Sequence, residues 1–153
     1  MKALLIAVLF LFSAFICTLS FLRSKSSEEA SMKHYQNLDE AIRILKESKE
    51  PISLYANFND GQYLEFKGFH PYIDGRAELF LENNNNDFDY YGEYCDITSA
   101  EMYYRDFVDK YSFNYLILDK ISDSYLYESL LHDSDFETAC DFEDIAMFVR
   151  KEK

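Results

Sequence analysis

The sequence lacks the short motifs that mark the common catalytic and nucleotide-binding sites. In 153 residues it has four glycines, two prolines and no tryptophan. It contains no G-x-G-x-x-G, G-x-x-x-x-G-K-[ST], G-x-S-x-G or H-E-x-x-H sequence. None of these standard signatures therefore indicates a catalytic mechanism for the chain.

Histidine and cysteine are also scarce. The three histidines, His34, His70 and His132, are far apart in the sequence, and no cysteine is close to any of them. A structural zinc site normally needs four well-spaced ligands of these types, so we expect no metal and no cofactor. Cys95 and Cys140 form a disulfide only if the domain is extracytoplasmic and their Cα atoms lie within ~7 Å, so their pairing stays open.

Basic residues are few compared with acidic ones. Beyond residue 25 the chain has 12 basic and 28 acidic residues, which gives a net charge of −16. A nucleic-acid partner is not expected, because phosphate binding needs a basic patch. The acidic surface is more typical of a solvated face that keeps a domain soluble than of an acidic ligand site.

One long uncharged run stands near the N-terminus. Residues 3–22 carry no charge, and about twenty residues of helix are needed to cross ~30 Å of hydrocarbon. Lys2 precedes the run and Arg23 and Lys25 follow it, so the positive-inside rule gives no clear orientation. A cleaved signal peptide is the alternative, but such peptides usually have an apolar core of only ~7–15 residues and a small-x-small cleavage site. We therefore predict a single membrane-spanning helix.

The composition changes after this run. Residues 24–31, SKSSEEAS, are small, polar or charged, which is typical of a short tether. We predict three parts: a membrane anchor with its flanks in residues 1–25, a tether in residues 26–36 and an α/β domain in residues 37–153.

The first half of the domain predicts a helix followed by a crossover unit. Asn37 is placed to cap a helix over residues 38–48. Residues 52–58 mix β-branched and aromatic side chains and predict a strand. A short helix over residues 61–68 and a second strand over residues 70–74 would complete a parallel crossover.

The second half predicts a helix, a buried strand, a helix and a C-terminal hairpin. The sequence TSAE at residue 98 is a capping box that predicts a helix to residue 111, and residues 82–87 predict a disordered loop. The remaining predicted elements are a strand at 114–120, a helix at 123–133 and a hairpin at 136–151. The order favours a layered α/β domain with a partly parallel sheet and an antiparallel C-terminal hairpin, preceded by one transmembrane helix.

Polar residues follow the first two predicted strands, where ligands bind in open α/β sheets. Asn59, Asp60, Asp74 and Arg76 are the candidate ligand-binding residues, with Arg76 placed to hold an anion or a sugar. The competing interpretation is that both aspartates cap turns and Arg76 pairs with a nearby acid. We expect Gly75 between them to have a positive φ or a closely approached backbone.

The same stretch resembles a known family. FNDGQYLEFKGFHPYIDGRAELF, residues 58–80, is similar to a segment in the soluble C-terminal domain of bacterial multi-pass polyprenyl-phosphate-sugar glycosyltransferases. Those proteins show an N-x-G-[GA]-Y-hydrophobic-x-[WF] run, a bend containing lysine, and then [YF]-I-D-[GA]-R. The matching residues are Asn59, Gly61, Tyr63, Leu64, Phe66, Tyr72, Ile73, Asp74, Gly75 and Arg76. The resemblance covers most of residues 38–151 and is most specific in the I-D-G-R element.

The resemblance implies a location and a role. The soluble domain of such proteins lies outside the cytoplasm after a last transmembrane helix, so this chain would be a single-pass protein of the bacterial cell membrane. The family's catalytic carboxylates lie in the multi-pass portion, which these 153 residues do not include. The implied role is an accessory domain, not catalytic alone, that binds a glycan acceptor or a multi-pass membrane glycosyltransferase. The alternatives are a small anchored or secreted enzyme that uses Asp60, Asp74 and Arg76, and an inactive remnant.

Overall fold

The computed structural model describes residues 2–151, with the side chains of residues 12, 13 and 15–151. They form two compact units, Met1–Gln36 and Asn37–Lys153. The described part of the first unit is helical throughout, and the second unit contains the whole sheet.

Helix α1 spans Lys2–Glu47, so the helix predicted to begin at residue 38 begins far earlier. The expected cap at Asn37 is wrong, because Asn37 lies inside the helix and its Nδ2 donates to Asp144 Oδ1 at 2.6 Å. Residues 26–36, the predicted tether, are helical as well.

No helix in the described residues is long and apolar enough to cross a membrane. The predicted anchor at residues 3–22 falls partly on side chains outside the described residues, so it stays a prediction.

The remaining elements are helices and strands, with several helical elements in succession between the first two strands. In chain order they are β1 (Leu54–Ala56), α2 (Phe58–Phe66), a 3-10 helix (Ala77–Phe80), α3 (Glu82–Asn85), α4 (Tyr90–Thr98), α5 (Tyr104–Lys110), β2 (Tyr115–Asp119), α6 (Ser124–Leu131), β3 (Phe136–Asp141) and β4 (Ile145–Arg150).

The four strands form one mixed sheet in the order β1-β2-β4-β3. Strand β1 runs parallel to β2, with Leu54 opposite Tyr115. The pairs β2-β4 and β3-β4 are antiparallel, and a bulge interrupts the last pair between Thr138 and Cys140. The expected combination of parallel pairing and a C-terminal hairpin is confirmed.

Side chains of the central strand β2 are buried on both faces, which explains its continuous apolar sequence. Leu116 and Leu118 pack in a cluster with residues of α4, α5 and α6, including Phe107 and Leu126. Ile117 points to the other face and packs in a second cluster with residues of α1 and α2. The part of α1 that belongs to the second unit supplies Leu38, Ala41, Ile42 and Leu45. The domain therefore has helices on both faces of its sheet.

The second predicted strand, at residues 70–74, is reduced to one bridge. Pro71 pairs with Leu54, and Tyr72 N donates to Leu54 O at 2.8 Å. Proline has no N–H to donate, so it cannot extend a ladder in both directions. The segment after α2 therefore pairs with the edge of the sheet at Pro71 but does not form a full strand.

The helix predicted over residues 98–111 is found only in its second part, as α5, and its predicted start is wrong. Helix α4 ends at Thr98, Ala100 has a φ of 62°, and α5 begins at Tyr104. The capping box is not used, because Thr98 Oγ1 donates to carbonyls of the preceding turn. The polar run at residues 82–87, predicted as a disordered loop, contains the short helix α3.

Two glycines differ in what surrounds them. A Cβ added at Gly61 would lie 2.0 Å from the Ile73 carbonyl oxygen, which is far inside contact distance. The atoms nearest to a Cβ at Gly75 belong to the Gln62 side chain, with its Oε1 at 2.9 Å. The positive φ expected at Gly75 is wrong, because the described glycine with a positive φ is Gly68, at 91°. The backbone of α2 thus touches the backbone of residues 73–74 at Gly61.

This contact predicts the sign of a helix substitution. Glycine to alanine in a helix interior normally stabilises a protein by up to ~1 kcal/mol. We expect Gly61→Ala to destabilise the domain by about 3 kcal/mol instead, because α2 must move away from Ile73.

Urea unfolding of the full chain measures this, with Gly75→Ala as the matched control. The flexible end of Gln62 can move at Gly75, so that variant should change the free energy of unfolding by less than about 0.5 kcal/mol. A Gly61→Ala chain as stable as the wild type would show that the backbone contact does not exist.

Candidate functional site

Arg76 lies between two carboxylates at the surface of the domain. Its Nη2 is 2.5 Å from Glu65 Oε1 and 2.5 Å from Asp74 Oδ2, and its Nε donates to Asp74 Oδ1 at 2.9 Å. The Arg76 side chain is 49% exposed, whereas that of Asp74 is 6% exposed. The guanidinium is therefore fixed on one side and open to solvent on the other.

The electrostatics of this cluster follow from its pairing. Hydrogen bonds from Arg76 hold the pKa of Asp74 below its ordinary value, although burial acts in the opposite direction. The same bonds to Asp74 raise the pKa of Arg76. The cluster thus combines one guanidinium with two acidic side chains.

The local sequence explains why these three residues meet. Glu65 lies on the last turn of α2, and the Gly61 contact holds that helix against the segment that carries Asp74 and Arg76. The backbone N–H of Arg76 also donates to Asp74 Oδ1 at 2.9 Å, which folds residues 74–76 into a tight turn.

The other two predicted residues lie at the first turn of α2. Asn57 Oδ1 accepts hydrogen bonds from the N–H groups of Asn59 and Asp60, and Asn57 Nδ2 donates to Asp60 Oδ2 at 2.8 Å. Asp60 is buried and Asn59 is exposed. The structure therefore joins Asp74 to Arg76, whereas Asp60 takes part in the cap of α2.

A buried carboxyl that the sequence did not indicate lies next to β1, where it contacts Tyr55. Asp123 is fully buried, with its Oδ1 accepting from the Tyr55 hydroxyl at 2.7 Å and its Oδ2 from Asp119 N–H at 3.0 Å. Burial raises the pKa of Asp123 to about 7, and the charges of Asp119 and Asp60 act in the same direction. Because Asp123 is out of contact with solvent, it is not placed to contact a ligand.

A second buried carboxylate links the two sides of the aromatic core. Glu93 accepts from the Tyr72 hydroxyl at 2.8 Å, from Lys110 Nζ at 2.7 Å and from the Tyr111 hydroxyl. Burial and the Glu93 hydrogen bond raise the pKa of Tyr72. These contacts tie the segment after α2 to α4 and to the end of α5.

A groove of about 560 Å³ lies at the opposite end of the sheet. Arg150 lines it, and its Nε is a buried donor without a partner among the described atoms. The charged lining residues are Lys49, Arg150 and Lys151 against Glu47, Glu50 and Glu137. The two signs are equal in number, so the charged lining residues give the groove no net charge.

The part of the chain that the structure describes contains neither a metal-binding cluster nor a disulfide. No three histidine, cysteine, aspartate or glutamate side chains there are grouped to hold a metal ion. Cys95 and Cys140 are free thiols, and burial raises the pKa of Cys140.

No protein-family model, curated protein or solved structure matches the chain. Its function has to be inferred from its own residues and their geometry.

The raised pKa of Asp123 predicts a change of stability with pH. The folded pKa of about 7 is above the ordinary value of 3.8, so the folded state binds the proton more tightly than the unfolded state. Stability from this group is therefore full below about pH 4 and is lost as pH rises to about 7. Between pH 5 and pH 8 we expect Asp123 to lower the free energy of unfolding by about 2–3 kcal/mol.

Asp123→Asn should remove this dependence, because its amide can donate to Tyr55 and its carbonyl can still accept from Asp119 N–H. Urea unfolding of both proteins at pH 5 and pH 8 measures the difference. The exposed Asp96→Asn variant serves as the control and should follow the wild type. Parallel pH curves for the wild type and Asp123→Asn would contradict the assignment.

Proposed function

We propose that the chain is a membrane-anchored accessory domain outside the cytoplasm of a bacterial cell. In this proposal residues 3–22 form the anchor and residues 37–153 form the working domain. The domain is related to membrane glycosyltransferases and binds a glycan acceptor or a partner membrane protein. It does not catalyse a reaction by itself.

The observation that carries this proposal is the Arg76 cluster. Its guanidinium is half exposed and held in place by Asp74 and Glu65, which reduces the conformational entropy lost when a partner binds. Fixed guanidinium and carboxylate groups can donate to and accept from hydroxyl or amide groups of a ligand. This geometry supports recognition by Arg76.

The same cluster gives less support to an enzyme that uses Asp60, Asp74 and Arg76. A general base is most effective when its pKa is near the working pH, whereas Arg76 lowers the pKa of Asp74. Asp60 is engaged by Asn57 in the cap of α2. Asp60, Asp74 and Arg76 therefore do not provide an acid and a base that could transfer protons to and from a substrate.

Replacing Arg76 tests the proposal. Arg76→Lys keeps the positive charge beside Asp74 but loses the planar fork of donors, so the melting temperature should stay nearly unchanged. A multi-pass membrane protein, or cell-envelope glycan fragments, should co-purify with the wild-type chain. We expect the yield of that partner to be lower with Arg76→Lys by about fivefold or more. The measurement is affinity purification of the full chain from membranes, followed by mass spectrometry.

Arg43→Lys is the matched control, because Arg43 is an exposed arginine paired with Glu40 on α1. Its recovery of partner should equal that of the wild type. The proposal fails if the wild-type chain retains neither kind of partner. The role of Arg76 fails if Arg76→Lys retains as much partner as the control.

A further inference from the structure

Residues 77–89, named here the 77–89 segment, are ordered without being buried. The segment contains the 3-10 helix Ala77–Phe80 and helix α3, and none of its residues is buried. Its order comes from its own hydrogen bonds: Asn84 Nδ2 donates to Glu78 O at 2.7 Å, and Asn85 Nδ2 donates to Phe88 O at 2.8 Å. The chain thus maintains a defined surface here that contributes little to the core.

This surface exposes large apolar side chains. Leu79 is 50% exposed, Leu81 38% and Phe88 41%. Single exposed apolar residues are ordinary on a protein surface, but three within ten residues of an ordered segment are typical of an interaction surface. Burying them against a partner would gain hydrophobic free energy that folding leaves unused.

The charges within the segment itself are all negative. The 77–89 segment has no lysine or arginine, and its four acids, Glu78, Glu82, Asp87 and Asp89, are exposed. Two cations beside the segment are already paired: Arg76 is held by two carboxylates, and Lys110, 4.1 Å from the Phe88 ring, is paired with Glu93. The charge of the partner should therefore be positive.

We propose that the 77–89 segment is a docking surface for a cationic segment of a partner protein that has an apolar face. Leu79, Leu81 and Phe88 contact the apolar face, and the four carboxylates contact lysine or arginine side chains around it. This inference rests on the protein-partner form of the proposed function and adds the chemistry of the partner and the place where it binds.

The test uses a fluorescent amphipathic peptide of lysine and leucine, about 14 residues long, and the full chain in one non-ionic detergent. The amount of peptide bound to detergent is the same in every sample, so differences in anisotropy between variants report binding of the peptide to the protein. We expect the Kd from fluorescence anisotropy to rise with ionic strength, because the charges are exposed.

Two double variants divide the surface into its apolar and charged parts. Leu79→Ser with Leu81→Ser, and Glu78→Gln with Glu82→Gln, should each raise the Kd by about tenfold. The controls are Ile121→Ser, an exposed apolar residue outside the segment, and Glu128→Gln with Glu137→Gln, two exposed acids outside it. Each control should change the Kd by less than about twofold, and all variants should keep the wild-type melting temperature.

The inference is overturned if the controls weaken binding as much as the segment variants, because net charge alone would then explain the binding. It is also overturned if a lysine–serine peptide of equal charge binds as tightly as the lysine–leucine peptide.

The two proposals can fail separately. If no peptide binds to residues 77–89 but the chain still recovers a membrane protein through Arg76, the docking surface is wrong and the accessory role stands. If the peptide binds at the segment but membranes give neither a protein nor a glycan, the accessory role is wrong and the surface stands.

Discussion

The close approach of α2 to the segment that follows it determines where the polar residues of this domain lie. At Gly61 the backbone of the helix meets the Ile73 carbonyl with no room for a side chain. The loop between them returns to the sheet through the hydrogen bond from Tyr72 N to Leu54 O. Together these contacts bring Glu65 to Arg76 and direct residues 77–89 away from the core.

Much of the sheet could be predicted from the sequence because its signals are local. Residues 115–118 are apolar at successive positions, as a strand buried on both faces must be, and they lie within β2. The C-terminal hairpin and α6 also lie close to their predicted positions. The errors came where local signals competed: Pro71 limited the second strand to a bridge, and the TSAE sequence follows a helix that had already begun at Tyr90.

The candidate site was only partly predictable for a different reason. Asp74 and Arg76 are two residues apart, so their pairing could be expected from the sequence. Glu65 could not be assigned to them, because that requires knowing how α2 packs. The Asp123–Tyr55 hydrogen bond joins residues 68 positions apart, and Asp123 alone has the sequence appearance of an ordinary helix cap.

The strands of the sheet differ in how much chain separates each one from the strand it pairs with. Strands β2, β3 and β4 all lie within residues 115–150, whereas β1 pairs with β2 across about 60 residues of chain. Closing that loop costs more entropy than forming the local pairs, so the C-terminal strands should assemble early in folding and β1 late. Helix α2 and the Arg76 cluster lie between β1 and β2 in the chain, inside the loop that closes late, and would therefore join together with β1. Partial unfolding that begins at this edge would separate Glu65 from Arg76 while leaving most of the sheet intact.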